Sequence, residues 1–195
     1  MSRWGRFALA YAFLGVACIA VALVWRVGSP LEHPTPFLKL GAPASHVYSI
    51  AIGLTVGALI VVTTRMSVAR FEWARRLHSE LRPIASSMNT TGILVVALLS
   101  GLFEELLFRG LLQPWIGLLP QAVLFGFLHQ VRGPSRWAWV GWATSVGLVL
   151  GGIFQLTGSL LGPIAAHSLV NALNLAFLKQ HDPEPRRRAL GGLLG

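Results

Sequence analysis

Two adjacent glutamates and an arginine four residues beyond them, Glu104, Glu105 and Arg109, lie within one long apolar stretch, and two later apolar stretches carry a histidine each, His129 and His167. A charge at the centre of a membrane helix costs on the order of 2.5 to 3.5 kcal/mol, so such groups persist where they have a function. A carboxylate with two imidazoles can activate water, donate to an oxyanion or ligate a metal. Glu105 and Arg109 are four apart on one helix face and form the natural ion pair, while Glu104 is rotated from Glu105 by about 100° and must find another partner or water. By the same spacing Phe125 shares a face with His129, and His167 with Asn171. Asn174, one turn further, extends that last face.

These residues need a scaffold, and the composition says which. The chain has 195 residues, 54% of them hydrophobic and only 12% charged, with a mean hydropathy of +0.63. This is an all-α, polytopic membrane protein of one domain, residues 1–182. Six spans are predicted, near Phe7–Val27, Val47–Thr64, Thr91–Ile116, Leu118–Gln130, Trp137–Thr157 and Ser159–Leu178, the fourth too short to cross unaided. Residues Arg65–Pro83 mix arginines with Phe71, Trp73, Leu77 and Leu81, which predicts a cytoplasmic interfacial helix, or else a projection of the second span. The external loop 27–46 carries four prolines and reads equally as an ordered cap or a flexible loop. Residues 183–195 read as a disordered basic tail.

With both termini in the cytoplasm, 13 Lys and Arg residues fall inside and two, Arg26 and Lys39, outside, with Arg109 left in the membrane. Cytoplasmic loops collect such residues, so six crossings are expected, N-in and C-in. The formal charge of +9 is spread between apolar segments without a cluster of stacking aromatics, which argues against nucleic acid. The first span lacks an obvious cleavage site before Arg26 and is expected to be retained, not removed as a signal peptide. Cys18, the single cysteine, excludes an intrachain disulfide. Fourteen of the 16 basic residues are arginine, a hint of a bacterial genome.

Counted at about 1.5 Å per residue from the outer helix ends, Glu104, His129 and His167 lie roughly 18, 15 and 12 Å deep, a similar level on three helices. A polar cavity is expected on the cytoplasmic side of that level. The ordered set Glu104-Glu105-Leu-Leu-Phe-Arg109, Phe125-Gly-Phe-Leu-His129 and His167-Ser-Leu-Val-Asn171 resembles the three motifs of the CPBP intramembrane proteases, the family of CAAX prenyl endopeptidases and bacteriocin-processing or self-immunity proteins, with myxosortase-like members. Larger members have eight helices, so this chain resembles a short form. The resemblance implies that Glu104 and His129 activate water, that His167 and Asn171 stabilise the oxyanion, and that Glu105 and Arg109, with Phe125, support the geometry. No cofactor is then required. The alternative is zinc held by Glu104, His129 and His167, as in many hydrolases.

Other intramembrane protease chemistries are narrowed by inventory. Asp182 is the only aspartate and there is no HExxH motif. Serine chemistry stays open through Ser100, Ser159 and Ser168, although Ser168 points about 100° away from His167 and suits helix packing better. Against the enzyme stand a small transporter with Glu104 as its membrane carboxylate, and an immunity or scaffold protein keeping the cluster without turnover. The expected partners are the lipid bilayer and a membrane-associated protein or peptide. That substrate would be a prenylated C-terminal motif, a leader peptide or a C-terminal sorting tail, and the expected location is a bacterial inner membrane.

Overall fold

The computed structural model describes residues 29–131 and 133–183, together with residues 9, 12, 13, 15–17, 20, 21 and 24. The first predicted span with Cys18, Arg132 and the tail beyond Pro183 fall wholly or largely outside that description. The elements are α1 (Ala42–Arg70), α2 (Glu72–Ser86), α3 (Thr90–Glu105), a π-helical segment (Leu106–Leu112), α4 (Gln113–Ile116), α5 (Leu118–Leu128), α6 (Arg136–Thr157) and α7 (Leu161–Gln180). α1, the continuous rod Thr90–Ile116, α6 and α7 are each long and apolar enough to cross a membrane. The predicted all-helical, polytopic membrane bundle is therefore what is found. α5, at 11 residues, is too short to span about 30 Å by itself.

Local sequence sets the boundaries. Pro43 sits in the first turn of α1, where its missing N–H is no loss. Asn89 caps α3 by accepting from the Gly92 amide at 2.7 Å. Gly117 and Gly158 adopt φ of 88° and 80°, a region most side chains avoid, and they turn the chain from α4 into α5 and out of α6.

Three elements depart from expectation. α1 begins five residues before Val47 and continues to Arg70, because nothing in Arg65–Arg70 breaks a helix; the chain bends only at Phe71, whose backbone is extended. The helix expected at the interface therefore starts at Glu72, not Arg65. It also runs through Pro83 to Ser86, since the proline falls in the final turn, where few later hydrogen bonds depend on it. The rod Thr90–Ile116 carries a π turn that hydropathy does not signal. In a regular helix the ring of Pro114 would press on the Gly110 carbonyl, and the widened turn before it relieves that contact.

Helices meet through small residues, the usual device where lipid supplies no hydrophobic drive between spans. A Cβ at Gly53 of α1 would overlap the Gly162 carbonyl of α7, and one at Gly57 would lie 3.2 Å from Ala166 Cα. Ser49 clasps the same seam, donating to the Ser159 carbonyl at 2.8 Å and accepting from the Gly162 amide at 3.0 Å. The loop before α1 is an ordered cap: its amides at His33, Phe37 and Leu38 donate to the carbonyls of Gly158, Gln155 and Leu156, and Leu160 returns a bond to Leu31. At the other end α2 lies against α7, and His78 donates to the His181 carbonyl at 2.9 Å.

Candidate active site

α3, the end of α5 and α7 deliver their polar groups to one point. Glu104 Oε2 lies 3.3 Å from His129 Nε2 and 3.9 Å from His167 Nε2. The expected ion pair is present, with Arg109 Nη1 donating to Glu105 Oε1 at 2.8 Å and both side chains fully buried. The same Glu105 oxygen also accepts from His167 Nδ1 at 2.7 Å. Arg109 continues the chain by donating from Nη2 to the Gly147 carbonyl of α6 at 3.1 Å. A sequence of bonds thus runs from α6 through the π segment to the imidazole on α7.

These contacts fix the rings. A backbone carbonyl only accepts, so the 2.7 Å contact between His129 Nδ1 and the Phe125 carbonyl places hydrogen on Nδ1. The carboxylate of Glu105, already paired with Arg109, does the same for His167. Both histidines therefore present Nε2 toward Glu104. The 3.3 Å contact between Glu104 and His129 then calls for one shared proton, carried by the carboxyl or the ring, since two bare acceptors would repel.

Phe125 is the packing centre of the cluster. Its ring lies under the Arg109 guanidinium at 4.5 Å and against His129 at 4.2 Å between centroids. Phe108 closes edge-on against it at 4.9 Å. Asn171 is one turn from His167 and lines the same cavity, with Nδ2 donating to Ser100 Oγ at 2.8 Å. That leaves one amide hydrogen of Asn171 for a ligand.

The cavity holds about 380 Å³ and extends from Glu104, His129, His167 and Asn171 toward α2. It lies on the expected side of the cluster, but its character differs: beyond the site its walls are mainly apolar, including Trp73, Leu77, Leu81, Trp139 and Trp142. Hydropathy assigns those residues to spans and an interface, and only the fold reveals that they face a chamber. Two buried glutamines also escape a search for ionisable groups. Gln113 donates to the Gly151 carbonyl at 2.9 Å and Gln121 approaches the Gly147 carbonyl at 3.5 Å; their signal is a neutral polar side chain inside an apolar run.

The serines occupy other roles. Ser100 holds Asn171, Ser168 packs against Gly101 of α3, and Ser159, at 2.8 Å from His46 Nδ1, sits more than two turns before His167. Among the described residues, no group of three His, Cys, Asp or Glu side chains is disposed to hold a metal ion.

A family model described as type II CAAX prenyl endopeptidase Rce1-like matches residues 86–173. The match begins at the last residue of α2, ends beyond Asn171 and contains all three motifs. A Bacillus subtilis (strain 168) protein described as uncharacterized protein YpbD is 32% identical over 119 residues, covering 60% of this chain and 62% of that relative. The matched stretch thus spans less than two thirds of the relative's length. No solved structure matches this chain.

Proposed function

We infer, from the Rce1-like match over residues 86–173 and the convergence of its three motifs, that this chain is an intramembrane endopeptidase of the glutamate type. The observation that carries the reading is Glu104 Oε2 placed between two imidazole nitrogens, at 3.3 and 3.9 Å, in the wall of the cavity. Glu104, sharing a proton with His129, takes a proton from a water. The hydroxide attacks the carbonyl carbon, and Asn171 Nδ2–H donates to the developing oxyanion. His167 Nε2 adds a second donor when its ring carries a second proton. Glu104 and His129 return a proton to the departing amine, which completes hydrolysis.

Arg109 and Glu105 support the site by holding the His167 ring. No step in this scheme uses a metal. The mainly apolar chamber suits an apolar peptide segment or lipidated tail of a membrane-associated protein. The charge distribution supports a cytoplasmic opening, and a bacterial inner membrane is the location we propose. Among substrates we favour a C-terminal sorting tail.

The test is cleavage in proteoliposomes. Wild-type protein is expected to cut an apolar membrane-anchored peptide, and to do so after metal analysis and chelation show no metal. Glu104→Ala and His167→Ala, inserted to the same level, are expected to lose turnover. Activity abolished by chelation and restored by zinc would replace the glutamate mechanism with a metal one. Full function in both variants would favour a scaffold or transporter.

A further inference from the structure

Asn174 stands apart from the residues so far assigned. It lies three residues beyond Asn171 and seven beyond His167 on α7, which places it on the same face, roughly 10 Å along the helix from His167. It lines the cavity shared by Glu104, His129, His167 and Asn171. Its Oδ1 is buried, and among the described residues no hydrogen-bond partner faces that atom. Val170 and Leu178, one turn to either side of it on α7 and lining the same cavity, carry no side-chain donor.

An amide carbonyl buried without a protein partner is destabilising unless a donor comes from outside the fold, a water or a bound ligand. A peptide entering an apolar chamber has the complementary difficulty. Its backbone N–H groups leave water and must be satisfied inside the protein. A helix or sheet would do this internally, but a bond to be cut has to be offered in extended form, with its amides unpaired. In a chamber walled by tryptophan and leucine, acceptors for those amides are scarce.

We propose, on the basis of the peptidase reading above, that Asn174 Oδ1 is a substrate-binding acceptor that takes one backbone N–H of an extended peptide. The spacing along the helix narrows which one. An extended chain advances about 3.3 Å per residue, and Asn174 lies roughly 4.5 to 10 Å along α7 from the oxyanion donors Asn171 and His167, so it meets an amide about one to three residues from the scissile bond, on the side toward α2. The contact reads backbone and not side chain. It therefore selects an extended conformation while leaving sequence choice to the apolar walls.

The experiment uses the full chain in proteoliposomes and a quenched-fluorescent apolar octapeptide, the one cut fastest by wild type from a combinatorial library. Asn174→Leu is expected to raise KM roughly 3- to 10-fold, the loss expected for one neutral hydrogen bond, with kcat changed less than about 2-fold. N-methylation of each peptide amide in turn is expected to find one position, about one to three residues from the cut, that raises the wild-type KM by the same factor. That methyl group should have no further effect on Asn174→Leu. Additive losses, or no methyl-sensitive position on that side, would overturn the proposal while leaving the peptidase reading intact. The methyl scan on wild type decides the matter even if the variant fails to fold. If wild type cuts no peptide in the library, the peptidase reading fails and Asn174 loses its role with it.

Discussion

Glu105 Oε1 receives both Arg109 and His167, at 2.8 and 2.7 Å, and this doubly bonded oxygen is where structure and chemistry separate most cleanly. Removing one partner of a buried pair leaves an uncompensated charge and costs about 3 to 5 kcal/mol, whereas replacing both with apolar residues is often nearly neutral. Arg109→Met should therefore unfold the protein at clearly lower temperature. The double variant Glu105→Met/Arg109→Met should regain most of that loss, as read by thermal melting in detergent, and still turn over slowly because His167 has lost the acceptor that orients it. A double variant with full activity would make the pair purely architectural. The i, i+4 pair was legible in the sequence because it is local. The bond from Glu105 to His167 was not, since it joins positions 62 apart and depends on how α3 and α7 pack.

At the scale of elements, the spans that carry the motifs were readable from hydropathy, as was the shortness of α5. The π turn was not, because it answers to one proline's ring against one carbonyl. Nor was the placement of α2 as a wall of the chamber, which arises from tertiary contacts: Glu80 accepts from Ser135 at 3.0 Å, His78 donates to His181, and Arg82 pairs with Asp182 at 3.6 Å. His78 is held below the usual histidine value of roughly 6.5, mainly because burial disfavours its charged form, although its bond to the His181 carbonyl opposes this. A lowered value in the docked state means that the undocked helix binds the proton first. Docking of α2 is thus at full strength above pH about 6.5 and weakens as pH falls through the depressed value. Hydrogen-exchange protection across α2, corrected for the pH dependence of the intrinsic rate, should fall on acidification in wild type and lose most of that dependence in His78→Gln. An unchanged protection profile between pH 7.5 and 5.5 would show that His78 does not govern the docking.

The molecule as a whole combines a rigid half with an accessible one. At one end α1 and α7 close over Gly53, Gly57 and Gly162, and the loop residues 29–40 seal α6 through four backbone bonds to Leu156, Gln155, Gly158 and Leu160. At the other end lies the chamber, with walls from α2, α6 and α7 among others. This polarity fits the proposed site, which would admit water and peptide from one face, and the arginine distribution is the ground for proposing that this face is cytoplasmic. Composition and spacing were enough for the membrane class and the helix order, and they pointed to three helices that bring Glu104, His129 and His167 together. They could not show that the cavity is mainly apolar, because its walls come from α2, α6 and α7 together.

The most direct measurement of glutamate-driven hydrolysis is oxygen-isotope transfer from labelled water in a single turnover by purified protein in proteoliposomes, read by mass spectrometry on the new C-terminal carboxyl. Wild type is expected to place one solvent oxygen in that carboxyl, and Glu104→Gln, equally inserted, to yield less than about 1% of the product, in line with the loss of a general base. Labelled product from Glu104→Gln at the wild-type rate would contradict the central role of Glu104.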